Sequence, residues 1–318
     1  MGEMVPQPTG EFIMMFLTHW VRALTLLSLV FSLALATGCR QSPPITHRVY
    51  LGYGASERQL PPTLIGTFAK EAAKPSLLML EMGMDAEIPT RDIQRCHRHR
   101  IIPILVIHPQ LSDGRDVALP DIVSGKWEGV LAKWSQSLAA FEEPVLVLFA
   151  PDFNLEYIPW SVAKTNQDGT IIQQAYQQVA MGLRQANPAA LMMVWGVGAS
   201  NMPDATWNNP LSAYPGDEYV DWVAISATDR TTGVVPMYKR MLATLSTHIE
   251  KPIMLTHYFH DSSPESDEAL MAAFLGPLKS VDALVVTNKQ WIGSVEPKKA
   301  WWRHPLFAAP YTTFMDAQ

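Results

Sequence analysis

PVLVLFAPDFNLEYIPW, residues Pro144 to Trp160, decides how the rest of the chain is read. Its first half, Val145-Leu146-Val147-Leu148-Phe149, is an unbroken apolar run. It is too short for a helix and lacks the alternation of a half-exposed strand, so it predicts a strand buried on both faces. Directly beyond it stand an acid, an amide and a second acid, Asp152, Asn154 and Glu156, followed by Tyr157, Pro159 and Trp160. In a strand–loop–helix protein the loop after a strand is where binding and catalysis sit.

Working outward, apolar strand-like runs alternate with amphipathic, helix-like stretches. The runs are Val49–Gly52, Ser76–Glu81, Ile102–Ile107, Val145–Phe149, Leu191–Trp195, Trp222–Ser226, Ile253–Thr256 and Ala283–Thr287. Between them the pattern predicts helices at Pro62–Ala73, Arg91–His99, Gly129–Ala140, Ile171–Ala186, Tyr238–Ile249 and Ser266–Leu278. Such alternation argues an α/β protein with a parallel sheet, and eight units argue closure into a single (β/α)8 TIM barrel over residues 48–318. Catalytic groups of a barrel come from the carboxyl ends of its strands. The residues to inspect are therefore His108, Asp152 and Asn154, Gly196 and Gly198, Thr228 and Asp229, His257 and Tyr258, and Asn288.

The N-terminal part reads differently. Ala23 to Ala36 is an apolar segment preceded by His19 and Arg22, and it ends in Ala36-Thr37-Gly38-Cys39. This resembles a bacterial lipobox, which makes 1–38 a lipoprotein-type signal peptide, Cys39 the lipidated first residue and 39–47 a short polar linker. An ordinary signal peptide or short membrane anchor is the alternative. The acidic stretch before Met14 suits neither and points to a start at Met14 or Met15. Arg40 follows the cysteine where an Asp would favour inner-membrane retention, so the expected location is the cell envelope, at the outer membrane if the organism is Gram-negative. The other cysteine, Cys96, then has no partner and reads as a small buried residue.

A net charge of −6 gives no basic footprint for nucleic acid. Phosphate-cradling glycine motifs and paired Cys-x-x-Cys are absent, so the sequence implies no nucleotide, zinc or other cofactor. The ten tryptophans are mostly core material, but a Trp in a loop after a strand suits the face of a sugar ring.

The stretch Pro151-Asp152-Phe153-Asn154-Leu155-Glu156-Tyr157-Ile158-Pro159-Trp160 resembles, without a gap, the end of the fourth strand in glycoside hydrolase family 26. That is the β-mannanase family of retaining (β/α)8 glycosidases. Val194-Trp195, Tyr214-Pro215-Gly216-Asp217-Glu218-Tyr219-Val220-Asp221 and Lys251-Pro252-Ile253-Met254-Leu255-Thr256-His257 are similar to later family segments. The resemblance puts Asp152 at the acid/base Glu and His257 at the nucleophilic Glu. Pro151 stands where the family has a His, and Thr228 stands where a Tyr would support the nucleophile. It further implies substrate contacts from His108, Asn154, Trp160, Trp195, Thr228, Tyr258 and Trp291.

Those departures fall on the chemistry. A retaining site needs two carboxyls about 5–5.5 Å apart. Asp for Glu withdraws the proton donor by one C–C bond, and a shift near 1 Å costs on the order of 100-fold. An imidazole cannot replace the carboxylate that forms and releases a glycosyl ester. The resemblance with these losses implies a lipid-anchored, β-mannanase-like barrel that binds a β-linked polysaccharide without efficient hydrolysis. An accessory role in exopolysaccharide assembly, export or retention would suit it, with exopolysaccharide machinery as partner. Two rivals stay open. One is an active hydrolase or transglycosylase pairing Asp152 with a relocated carboxylate such as Glu156, Asp229 or Asp261. The other is a structural envelope protein. His257 and His260 lie close in sequence, but no further ligand set with metal spacing accompanies them.

Overall fold

The computed structural model describes residues 50–54, 76–186, 188, 190–226, 234–258, 269 and 272–286; of His257 and Tyr258 it describes the backbone. The signal segment, Cys39, the linker, the Pro62–Ala73 helix and site candidates Thr228, Asp229, His260, Asp261 and Trp291 lie outside these residues. So do residues 266–268, 270 and 271 of the expected Ser266–Leu278 helix. Among the described residues no helix is long and apolar enough to cross a membrane.

Eight strands close into a parallel barrel in chain order. They are β1 (Tyr50–Gly54), β2 (Leu77–Gly83), β3 (Ile102–His108) and β4 (Val145–Phe149). β5 (Leu191–Gly198), β6 (Trp222–Ser226), β7 (Ile253–Tyr258) and β8 (Ala283–Val286) complete it. β8 pairs back on β1, with Gly52 opposite Val285. The (β/α)8 expectation from alternation therefore holds. The helices are α1 (Thr90–Arg98), α2 (Leu119–Val123), α3 (Glu128–Leu138), α4 (Gly169–Arg184) and α5 (Val234–Leu245).

Side-chain parity fixes the interior. Leu77 and Met79, Ile102, Ile104 and Val106, Leu146 and Leu148, Met192 and Val194, Trp222 and Ala224, Met254, Ala283 and Val285 form one buried cluster. These are alternate residues of neighbouring strands, as a filled barrel requires. Tyr50 meets the ring of Trp222 edge-on at 6.5 Å and closes the amino-terminal end of this core. The intervening residues face the helices. Phe149 and Trp195 belong to that outer set, with Tyr176 of α4 against Phe149 at 6.4 Å.

Helix α4 organises the outer layer. Asp168 caps it, accepting from Thr170 N at 2.9 Å and Thr170 Oγ1 at 2.7 Å. Ile172, Ala175, Tyr176, Val179, Ala180 and Leu183 recur at helical spacing and are buried. Its other flank carries a strap made by the residues ahead of β6. Gln173 Nε2 donates to Tyr214 O (3.0 Å), Gln177 Nε2 to Pro215 O (2.8 Å) and Arg184 Nη1 to Glu218 O (2.6 Å). The strap ends at Asp221, whose Oδ2 accepts from Arg184 Nη2 (3.2 Å) and Met193 N (2.7 Å). The Tyr-Pro-Gly-Asp segment thus runs along α4 on the outside of the barrel, held at Gln173, Gln177 and Arg184.

Candidate functional site

The mouth of the barrel is shaped by the quoted stretch. After β4 the chain turns sharply, with Ala150 at φ 46° and Asp152 at φ 64°. Left-handed backbone is tolerable for Asp but costs an Ala about 1 kcal/mol, so the surrounding contacts must hold it. One such contact is Asp152 N donating to Gly196 O at 3.3 Å, which lays the loop over the end of β5. The two glycines of β5 make room. A Cβ on Gly196 would sit 2.6 Å from Leu148 Cδ1, and one on Gly198 would sit 2.9 Å from Leu155 Cδ2. Because β5 presents no side chain there, the Asp152 carboxylate passes over it to the next strand. Ser226 Oγ, at the end of β6, donates a hydrogen bond to Asp152 Oδ1. Asp152 is 7% exposed and Ser226 2%.

Asn154 was expected to offer its amide to a sugar hydroxyl or to the neighbouring carboxylate. In the structure it is fully buried and its amide is engaged within the protein. Nδ2 donates at 3.0 Å to Gly198 O, Ser200 O and Asn201 Oδ1, while Oδ1 accepts from Gly198 N at 2.7 Å. Its carbonyl accepts from Asn208 Nδ2 (2.8 Å) and Met202 N (2.9 Å). Asn154 therefore locks the loop after β4 to the loop after β5.

The tryptophans divide. Trp160 donates from Nε1 to Pro151 O (2.7 Å), is almost fully buried, and packs against the ring of His108 with centroids 5.2 Å apart. It shapes the mouth from beneath. Trp195, expected in the cleft or its floor, lies on the outward face of β5, 1% exposed, between Phe153 (5.6 Å) and Tyr214 (5.1 Å). Parity separates it from the interior, since Met192 and Val194 hold the inward positions. The exposed aromatic of the quoted stretch is instead Tyr157, on the rim, with Met202 exposed nearby on the loop that pairs with Leu155.

Two further groups emerge that the sequence reading passed over. Ser226 is one. Glu81 is the other: it follows Leu77 and Met79 on the inward face of β2, opposite Val106, and is half-buried. Its signal was a carboxylate in phase with inward apolar residues at a strand end. Glu156, by contrast, is exposed on the rim. His257 and Tyr258 end β7, where pairing with β8 shifts register between Leu255 and Tyr258. Among the described residues no group of three His, Cys, Asp or Glu could hold a metal ion. Cys96 is buried on α1, and burial pushes its thiol up to about 12, which leaves it unreactive.

No protein-family model and no curated protein matches the chain in sequence. Solved structures do match in fold. GH26C from a Muricauda species aligns at TM-score 0.60 and 13% identity, over 77% of this chain and 80% of its own. A double mutant of the Cellulomonas fimi endo-β-1,4-mannanase aligns at 0.61 and 14%, over 83% and 72%. A β-mannanase from a symbiotic protist of the termite Reticulitermes speratus, complexed with gluco-manno-oligosaccharide, aligns at 0.55 and 13%, over 82% and 87%. The chain therefore shares its (β/α)8 barrel fold with glycoside hydrolase barrels, family 26 mannanases among them.

Proposed function

We propose that this chain is a lipid-anchored, β-mannanase-like barrel that holds a β-linked polysaccharide at the bacterial cell envelope without cutting it efficiently. Its service is accessory, in exopolysaccharide assembly, export or retention. One observation carries the reading: the carboxylate at the acid/base position is short, buried and turned to Ser226 on the barrel wall. The likeness to a mannanase barrel complexed with gluco-manno-oligosaccharide supports a β-linked glycan as the ligand class. His257 at the end of β7 supports loss of the double-displacement route, because no glycosyl ester can form on an imidazole.

The test is direct. Mannohexaose, cellohexaose and bacterial exopolysaccharide are titrated against the full chain, and product formation is followed on the same glycans. Binding without turnover is expected, together with no covalent intermediate from a fluorosugar inactivator. Robust turnover that disappears in Asp152→Asn would replace this reading by its rival, an inverting hydrolase. Glu81, a half-buried carboxylate on β2 in phase with its inward residues, is the group such a rival would pair with Asp152. For the anchor, Cys39→Ser should abolish lipid labelling and release the protein from membranes.

A further inference from the structure

A retaining or inverting glycosidase needs one carboxyl that is protonated when substrate arrives and aimed at the glycosidic oxygen. The geometry at Asp152 opposes both requirements. Its Oδ1 lies against the Ser226 hydroxyl, and a hydroxyl that donates to a carboxylate favours the ionised form against the burial that opposes it. Its backbone is fixed on either side, by Asp152 N on Gly196 O and by Leu155 N on Asp152 O at 2.9 Å, so the side chain leaves the loop in one direction. Ser226 is fixed as well, its carbonyl accepting from Ala199 N at 2.6 Å. The bare end of β5 lets the two meet across a strand that would otherwise separate them.

We infer that Ser226 is a positioning residue that holds Asp152 as an anion against β6, so that this carboxylate accepts hydrogen bonds from sugar hydroxyls and protonates no leaving group. The inference deepens the glycan-binding reading and rests on it for the identity of the hydroxyl donor. Among the described residues, neighbouring elements bring the titratable side chains of Glu81 from β2, His108 from β3 and Glu156 on the loop itself to this mouth, and the backbone of β7 ends at His257 and Tyr258. β5 brings none.

The test begins without a ligand. Full chain labelled with carboxyl-13C aspartate is titrated by NMR, and the Asp152 resonance is assigned by its loss in Asp152→Asn. Asp152 should be ionised at neutral pH. Ser226→Ala should raise its midpoint by about one pH unit, the size expected for one hydrogen bond to a charged group. Ser226→Thr, which keeps the hydroxyl, should leave the midpoint in place. Mannohexaose affinity should fall about tenfold in Ser226→Ala and stay near wild type in Ser226→Thr. Ser226→Ala should add nothing in an Asp152→Ala background, which marks the pair as one unit. A wild-type Asp152 that is protonated at pH 7, or a midpoint indifferent to Ser226→Ala, overturns the inference; the first of these needs no variant. If the midpoint shifts as stated while neither mannohexaose nor cellohexaose binds, the pair stands and the glycan reading falls.

Discussion

Two regions carry the most family-like sequence in this chain, and they do opposite work. The loop Pro151–Trp160 sits at the carboxyl ends of the strands and forms the mouth. The strap from Asn209 to Asp221 descends the flank of α4 and never reaches the mouth. In the strap the matching residues are structural: Tyr214 donates to Asp217 Oδ1 at 2.6 Å, and Asp221 ties Arg184 to the start of β5. In the loop Asn154 and Trp160 serve as scaffold, and on the reading proposed above Asp152 stands where an acid/base carboxyl would act. A matching motif therefore reports how the barrel is braced. Only the residues pointed at the ligand report what it can do.

The largest effect expected from this contrast lies in the mouth. Asp152→Glu with His257→Glu should raise hydrolysis of a β-linked glycan at least about 100-fold over background, since a carboxyl misplaced by about 1 Å costs that much. Each single change should stay near background, because a retaining site works only with both carboxyls. Reducing-sugar release from mannan and glucomannan measures it. Equal rates in the double variant and the wild type would mean that the loop after β4 is not where the chemistry was lost.

Next comes the seam between the loop and β5. Gly198→Val drives a branched side chain into Leu155 and should cost about 1–3 kcal/mol of stability. It should also displace the loop and lower glycan affinity. In the strap, Asp221→Ala removes the acceptor of Met193 N and the partner of Arg184. Asp221 is about two-fifths exposed, which holds the cost to about 1–2 kcal/mol, a Tm fall of roughly 3–8 °C. Glycan affinity of the folded protein should not change. A strap variant that loses binding at full stability would erase the division between the two regions.

Much of this was legible beforehand, and the limits have physical causes. β4 and β6 begin and end where their apolar runs do. β5 runs on through Gly196-Val197-Gly198, which reads as loop because glycine is disfavoured in strands. Here the missing side chains are what the crossing loop requires. α2 was not foreseen, being five residues that include Pro120. Trp195 was placed in the cleft by the family resemblance, and a run buried on both faces carries no sign of which parity points inward that could have corrected it. The contact of Ser226 with Asp152 spans 74 residues and has no sequence pattern at all. Asn154 illustrates the reverse: its type was legible, and its use became visible only once four partners surrounded it.

A smaller effect separates the aromatics within the mouth. Tyr157 is 54% exposed and should act as a sugar-facing surface, so Tyr157→Ala should weaken mannohexaose binding by about 0.5–1.5 kcal/mol with Tm unchanged. Trp195→Ala should do the reverse, costing about 3–5 kcal/mol of stability through lost core contacts and so lowering Tm, while the folded fraction binds normally. Isothermal titration alongside thermal melts distinguishes the two.

The smallest effect tests the place where loop and strap meet, the first turn of α4. The loop after β4 feeds this turn, and Ser212 of the strap lies over Gly169. Asp168 caps it, and hydrogen bonds from the Thr170 hydroxyl and amide hold its carboxyl below the usual range. The sign follows from that direction. A carboxyl with a depressed native pKa binds fewer protons than the unfolded chain, so its contribution is complete above the unfolded value of about 3.9. It is lost as pH falls through the native value. Asp168 is fully exposed to solvent, so the contribution is small. Asp168→Ala should lower Tm slightly at pH 7, and the gap to wild type should narrow as pH falls below the unfolded value of about 3.9. Mannohexaose affinity at pH 7 should be the same in both proteins, because the cap anchors the helix and touches neither Asp152 nor the rim. A gap that does not narrow at all as pH falls would show that Asp168 acts through something other than its charge. A loss of affinity would show that the first turn of α4 transmits the strap's bracing into the mouth.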